Sequence, residues 1–130
     1  MEIVYKKFEN DLFVLISIGQ EINPLDGLVH GDVEFDINNQ AVFIDLLNEV
    51  IEDNSFYIVV DLTNVSYIDS SGLWALFEGH KKATVQNGHL VLLNPSKDVK
   101  RVLDITKVSS KIQIFVDFDE VVSFFKSLKS

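Results

Sequence analysis

The spacing of hydrophobic residues divides the chain into extended segments, an irregular stretch and a run of alternating strands and helices. Branched apolar residues over 3–8 and 12–18 predict two β-strands. The pattern loosens between residues 19 and 38. Within that stretch only 32–37 shows alternation of acidic and apolar residues, which predicts a short edge strand or an extended arm.

Helices and strands alternate from Ala41 to the end of the chain. Apolar residues three and four apart predict an amphipathic helix beginning at Ala41. The nearly unbroken apolar run 56–62 predicts a central strand covered on both faces. A helix from about 71 to 86 follows, and then a strand over 90–93, a helix from about 96 to 105 and a strand over 112–116. The last helix begins at Glu120, and its predicted buried stripe is formed by Val121, Phe124, Phe125 and Leu128. This order indicates an α/β fold with helices packed on a sheet.

Composition and charge narrow the classes of function. The 130 residues, 47% hydrophobic and 24% charged, predict one globular domain over 1–130. A formal charge of −9 disfavours nucleic acid and anionic lipid as partners. The absence of cysteine excludes disulfides and thiol catalysis. Since the chain has no apolar run of membrane-spanning length and no signal-peptide pattern at its start, we expect a cytoplasmic protein without membrane insertion.

One polar turn carries the candidate chemistry. The segment Asp69-Ser70-Ser71-Gly72 follows a predicted strand and opens a predicted helix. Backbone N–H groups and the helix dipole at such a turn favour negative charge near Ser70. The plainest interpretation is that Asp69, Ser70 or Ser71 caps the helix, and that Gly72 permits close packing.

This turn and its surroundings resemble the STAS domain of anti-sigma factor antagonists. The resemblance rests on the signature over 65–73, Val-Ser-Tyr-Ile-Asp-Ser-Ser-Gly-Leu, on the strand sequence over 88–92, and on 99–106, a helix ending in an Asp-x-Thr turn. With the first two strands it covers most of the chain, from about residue 3 to residue 128. It implies the STAS fold, an α/β arrangement of about five strands in a mixed sheet faced by about four helices. We expect these helices on one side of the sheet.

The resemblance also implies a function and a set of site residues. In that family the serine directly after the aspartate accepts a phosphate, and this position corresponds to Ser70. The unphosphorylated protein binds an anti-sigma factor that is typically also an ATP-dependent serine kinase. Phosphorylation breaks the complex, and a PP2C-type serine phosphatase resets it. The resemblance therefore implies a regulator with Ser70 as its phosphate acceptor. We expect Asp69, Ser70, Ser71, Gly72 and Trp74 to shape its docking surface. Since the chain shows no nucleotide-binding motif and its histidines lack metal-ligand spacing, we expect no enzymatic activity, cofactor or metal.

Three features depart from the family pattern. Trp74 stands where the family has a small residue, and either an exposed contact anchor or a core side chain suits its amphipathic ring. Lys107 follows the Asp-x-Thr turn where a glycine is usual. Residues 20–38 insert extra chain between the second strand and the first helix. This insertion could reshape the partner surface or supply a contact between copies of the chain, which leaves a homo-oligomer as an alternative.

Other functions have weaker support. A hydrolase is disfavoured because Ile68 replaces the glycine of a nucleophile elbow, and because ten helical residues place His80 about 15 Å from Ser70. The acidic residues over 32–36 lack the turn glycine of a calcium loop. Two rival functions stay open. One is a STAS scaffold without a switch, such as a stressosome-like subunit or a transporter accessory, and the other is a sensor of a small ligand or nucleotide.

Overall fold

The computed structural model describes most of the chain. The described residues are 3–8, 12–23, 27–30 and 33–129, with the backbone alone for 20–23, 27–30 and Lys129. Residue 32, where the predicted alternation of acidic and apolar residues begins, lies outside the described residues.

The elements follow the predicted alternation of strands and helices. The strands are β1 (Ile3–Phe8), β2 (Phe13–Ile18), β3 (Gln20–Asn23), β4 (Gly27–His30), β5 (Val33–Phe35), β6 (Tyr57–Asp61), β7 (Val65–Ile68), β8 (His89–Leu93) and β9 (Ile114–Phe115). The helices are α1 (Gln40–Glu52), α2 (Ser70–Val85), α3 (Lys97–Ile105) and α4 (Phe118–Lys129), with a 3₁₀ turn at Val108–Ser110. The last strand is shorter than the predicted 112–116 because the Ile112 N–H donates to the Val108 carbonyl, which keeps Ile112 in the preceding turn.

The main sheet has five strands in the order β1-β2-β6-β8-β9. β1 is antiparallel to β2, whereas β2, β6, β8 and β9 are parallel neighbours. Val60 of β6 pairs with Ile16 on one side and with Leu92 on the other, which places β6 at the centre. The mixed α/β sheet implied by the sequence is confirmed.

Helices cover both faces of this sheet, so the expectation that they lie on one side is wrong. Helices α1, α2 and α3 bury apolar side chains against the face that carries Ile58 and Val60. Helix α4 packs against the opposite face, where Val59 meets Phe125 and its neighbours. The physical reason is the run of apolar residues in β6, which leaves both faces hydrophobic and in need of cover.

The buried stripe of α4 is narrower than predicted. Val121 and Phe125 are fully buried, and the Phe125 ring stacks on the Phe13 ring with a centroid separation of 5.4 Å. Phe124 is half-buried, and Leu128 is 37% exposed. Because Leu128, in the last turn of the helix, is exposed, the prediction that it belongs to the buried stripe is wrong.

Residues between 20 and 38 form two small pairings outside the main sheet. β3 and β4 pair as an antiparallel hairpin. β5 pairs in parallel with β7, and the pairing brings Phe35 opposite Ile68. The short edge strand predicted in this region is therefore present as β5. Within the described residues, no helix is both long and apolar enough to cross a membrane.

Candidate functional site

The turn between β7 and α2 is closed by the side chain of Asp69. This residue has an extended backbone, and its Oδ1 accepts the N–H groups of Ser71 at 2.8 Å and Gly72 at 3.1 Å. These are two of the amide groups that a helix N-terminus leaves without an intrahelical partner. The helix cap predicted at this turn is therefore Asp69, rather than Ser70 or Ser71.

Ser70 is the first residue of α2, and it is exposed. Its side chain makes no hydrogen bond to any other residue that the structure describes. Because the Asp69 carboxylate already binds the amides of Ser71 and Gly72, the Ser70 hydroxyl is not needed to hold the turn. The Ser70 hydroxyl is exposed and is not held by a hydrogen bond to any described residue, so it is accessible to chemical modification.

Strand β5, which is distant from this turn in sequence, packs against it. The Asp69 N–H donates to the Phe35 carbonyl oxygen at 3.3 Å. Gly72 is buried against the same carbonyl, and a β carbon on residue 72 would also lie 2.8 Å from Cγ1 of Ile68. The expectation that Gly72 permits close packing is confirmed. The Phe35 carbonyl occupies the space that a side chain at position 72 would need.

A buried asparagine fixes the end of β5 against the start of α1. Asn39 is 7% exposed, and its Oδ1 accepts the Asp36 N–H at 3.0 Å. Its Nδ2 donates to the Glu34 carbonyl oxygen at 2.7 Å. These two bonds fix the residues on either side of Phe35. Because the Phe35 carbonyl accepts the Asp69 N–H, Asn39 helps to position the turn at Asp69 without touching it. Sequence reasoning missed Phe35 and Asn39. Asparagine near a helix start usually indicates a cap, but the Asn39 side chain makes no capping bond to α1 and binds back to the end of β5 instead.

Three large apolar side chains on the elements that form this turn are exposed. Trp74 is 48% exposed and lies one helical turn after Ser70 on α2. Tyr67, on β7, is 52% exposed, and Ile37, two residues beyond β5, is 66% exposed. The alternative that placed Trp74 in the core is thereby excluded. Tyr67 and Ile37 were not singled out in the sequence, because hydrophobic spacing alone does not distinguish exposed from buried positions in short strands.

The surroundings of Ser70 are acidic. Asp69 precedes it directly, and Glu34 and Asp36 lie on the β5 segment that contacts the turn. The Asp36 carboxylate accepts the Asn38 N–H at 2.9 Å, so it is held at the surface rather than in the core.

The one histidine on α2 lies far from Ser70 along the helix, and no metal centre is found in the residues described. His80 is half-buried on α2, ten residues from Ser70, which corresponds to about 15 Å of helix. Its Nδ1 is buried and has no hydrogen-bond partner in the described structure. Across the ranges that the structure covers, no three His, Cys, Asp or Glu side chains are grouped closely enough to hold a metal ion.

The Asp-x-Thr turn at the end of α3 is formed by Asp104, Ile105 and Thr106. Lys100 Nζ lies 2.9 Å from both carboxylate oxygens of Asp104. Hydrogen bonds from Lys100, and after it from Ser109, hold the pKa of Asp104 below its usual value. Lys107 follows with φ of 68°, a left-handed conformation that favours glycine. This explains in physical terms why a glycine would suit position 107.

Comparison with known proteins places the chain in a family. The family model for the STAS domain matches residues 18–121, and the chain belongs to this family. Its relatives include the anti-sigma-B factor antagonist of Staphylococcus aureus, which is 34% identical over 82 residues, or 62% of this chain and 75% of the relative. These relatives are regulators by name rather than enzymes.

Solved structures share the fold at low sequence identity. A Thermotoga maritima protein described as a proposed anti-sigma factor antagonist superimposes with a TM-score of 0.76 at 20% identity, covering 95% of this chain and 94% of that one. The anti-sigma factor antagonist SpoIIAA in its unphosphorylated form gives a TM-score of 0.66 at 15% identity, covering 98% of each chain. At these identities the structures establish the fold.

Proposed function

We propose that this chain is an anti-sigma factor antagonist that works as a phosphorylation switch. In this proposal the unmodified protein binds an anti-sigma factor that is also a serine kinase, and phosphorylation of Ser70 releases it. A PP2C-type serine phosphatase restores the binding form. The observation that carries the proposal is the exposed Ser70 side chain at the start of α2, which lies next to exposed apolar side chains and makes no hydrogen bond to any residue that the structure describes.

The geometry of the cap explains how a phosphate would act. The amides of Ser71 and Gly72, which would otherwise attract an anion, are already bound by Asp69. A phosphate on Ser70 would add about 1.5 to 2 negative charges beside the Asp69 carboxylate. At roughly 5 Å and an effective dielectric constant near 20, each pair of charges costs on the order of 3 kcal/mol. An exposed phosphate avoids most of this cost by hydration, and a docked partner would remove that hydration. Release then needs no change of fold.

The docking surface in this proposal is built around the turn at the start of α2. Ser70 is its centre, and Asp69 and Ser71 form the turn that presents it. Gly72 keeps that turn against β5, and Trp74 is the apolar anchor. The exposed side chains of Tyr67 and Ile37 extend the surface on the strand side.

Three further parts of the proposal follow from this mechanism. The protein carries out no reaction itself, because its role is to be bound, modified and released. It needs no cofactor or metal for this role. It acts in the cytoplasm, where sigma factors and their regulators meet RNA polymerase.

Binding measurements with variants of Ser70 test the proposal. Ser70→Ala keeps the turn and removes the phosphate acceptor, whereas Ser70→Asp adds a permanent negative charge. With tagged protein as bait in its native cells, we expect Ser70→Ala to retain an anti-sigma factor with a serine kinase domain and Ser70→Asp to lose it. Ser123→Asp, an exposed serine on α4 across the sheet, is the matched control and should bind like the wild type.

Two outcomes would support the rival functions instead. A scaffold would retain the same partners in both Ser70 variants, since its contacts do not depend on that charge. A ligand sensor would retain no kinase and would gain thermal stability with its ligand, because a molecule bound only by the folded state stabilises it. Either result would overturn the switch.

A further inference from the structure

A cavity of about 470 Å³ lies at the end of the molecule opposite Ser70. Strands β2 and β6 begin beside it, and helices α1 and α2 end beside it. Its lining includes residues 53–55, which follow α1, and Gln86 and Asn87, which follow α2. Ser70 begins α2, and the 16 residues of this helix span about 22 Å, so the cavity is separate from the serine turn.

The lining of this cavity combines apolar and polar side chains. Leu12 and Phe13, which are buried, and Phe56, which is half-buried, supply apolar surface. The residues that follow the two helices supply amide, hydroxyl and carboxylate groups. A volume of several hundred Å³, with apolar surface and a small number of polar groups, is typical of sites that bind small organic molecules.

The charges around the cavity favour a cation. Two helices end here, and each C-terminus carries roughly half a negative charge. The last turn of α1 contains no basic residue and ends in the exposed Glu52, whereas Lys82 offsets part of the charge at the end of α2. Lys7 and Asp53 both line the cavity, and their charges offset each other in an ion pair of 2.9 Å. The remaining potential is negative, which disfavours a phosphate or a carboxylate as ligand.

From this lining we infer that the cavity binds a small organic amine. Its ammonium group lies near the two helix ends, and its apolar or aromatic body contacts Leu12, Phe13 and Phe56. A carboxylate accepts more than one hydrogen bond, so Asp53 can bind the ammonium group while it stays paired with Lys7. This binding site is additional to the phosphorylation switch and does not rest on it.

Three indoles of nearly equal shape test the charge of the ligand. Near neutral pH, tryptamine is a cation, tryptophol is uncharged and indole-3-propionate is an anion. Each is titrated into the whole ¹⁵N-labelled chain and followed by NMR. We expect tryptamine to shift the amide signals of residues 53–57 and 86–87 saturably, with a Kd below about 1 mM. Tryptophol should bind about fivefold more weakly, and indole-3-propionate more weakly still, because the helix ends attract only the cation.

Two variants change the charge at the cavity in opposite directions. Lys7→Met leaves the Asp53 carboxylate without its ion-pair partner and should tighten tryptamine binding about threefold. Asp53→Asn leaves the Lys7 ammonium group unpaired near the ligand and should weaken binding about threefold. Lys97→Met and Asp98→Asn are the matched controls, since they make the same charge changes in the first turn of α3, beyond the other end of β8. Both should leave the Kd almost unchanged because salt screens charges at that distance.

Three results would overturn the proposal. The first is a tryptamine titration without saturable shifts at residues 53–57 and 86–87 up to about 10 mM. The second is equal affinity for the three indoles, which would mean that the cavity does not select a cation. The third is an equal effect of the α3 variants and the cavity variants, which would mean that the net charge of the chain alone attracts the amine.

The outcome is independent of the phosphorylation switch. Lys7 and Asp53 lie at the end of α2 that is opposite Ser70. Retention of the kinase by the Ser70 variants decides the switch, whether or not tryptamine binds. Failure of the amine site would therefore leave the Ser70 proposal unchanged, and failure of the switch would leave the amine site unchanged.

Discussion

The Phe35 carbonyl oxygen and the α carbon of Gly72 approach so closely that a β carbon on residue 72 has no room. The same carbonyl accepts the Asp69 N–H. One backbone group of β5 therefore fixes both the cap of α2 and the first turn of that helix. Ser70 lies between these two points in sequence, so its backbone is held on both sides although its side chain is exposed.

Gly72→Ala should destabilise the protein more than Gly79→Ala, although both glycines lie inside α2. The new methyl group at position 72 would overlap the backbone of Phe35, which cannot move without breaking β5. At position 79 it would meet the ends of the Leu90 and Leu47 side chains, which can turn away, and alanine also favours a helix. We expect a loss of about 1–3 kcal/mol for Gly72→Ala and less than about 1 kcal/mol for Gly79→Ala. Urea unfolding measures both, and equal losses would contradict the account.

Removal of the Asp69 cap should cost about 1 kcal/mol in the free energy of unfolding, measured as Asp69→Ala. The cost arises because the amides of Ser71 and Gly72 lose their acceptor. Asp69→Ser retains a capping oxygen and should lie within a few tenths of a kcal/mol of the wild type. If Asp69→Ser loses as much stability as Asp69→Ala, the charge of Asp69 rather than its capping bonds stabilises the turn.

Asn39→Asp should destabilise β5 while Asn38→Asp has little effect. The buried Asn39 amide donates to the Glu34 carbonyl at 2.7 Å. An ionised carboxylate at this position has no donor, so the hydrogen bond would be replaced by repulsion between two oxygens. We expect a loss of about 1–3 kcal/mol at neutral pH for Asn39→Asp. The exposed Asn38 side chain should tolerate the same change within about 0.5 kcal/mol. Urea unfolding of the two variants provides the comparison. If Asn39→Asp is as stable as the wild type, the two hydrogen bonds of the Asn39 side chain are not needed for stability.

Lys100→Met should raise the pKa of Asp104 toward its ordinary value near 3.8, because the Lys100 hydrogen bond is the main cause of its lowering. A lowered pKa in the folded state means that the ionised carboxylate adds stability above about pH 4, and that this contribution is lost as the pH falls through the folded-state pKa. NMR titration of the Asp104 carboxyl carbon measures the change. Arg101→Met is the control, since Arg101 lies 3.8 Å from Asp98 and should leave the pKa of Asp104 unaltered.

Local patterns were enough to predict much of the fold and part of the site. The apolar run over 56–62 indicated a strand buried on both faces, and β6 is such a strand. The polar turn at 69–72 indicated a capped helix, because a cap involves residues that are neighbours in sequence. These features depend on interactions within a few residues, which a single sequence displays directly.

The remaining features depend on residues that are distant in sequence. Phe35 contacts the turn from a strand more than thirty residues earlier, so no local pattern links it to Asp69. The amphipathic pattern of α4 shows that one side is buried but not which face of the sheet it covers. The exposure of Tyr67 and Trp74 likewise depends on which elements pack over them.

Phosphopeptide mass spectrometry on the protein from its native cells, grown with and without stress, tests the central claim most directly. The account predicts phosphate on Ser70, with an occupancy that changes with the growth condition. Phosphatase inhibitors during recovery preserve the modification, and fragment ions from cleavage between the two serines allow Ser70 to be distinguished from Ser71. An unmodified Ser70 under every condition, in a fully covered peptide, would contradict the switch.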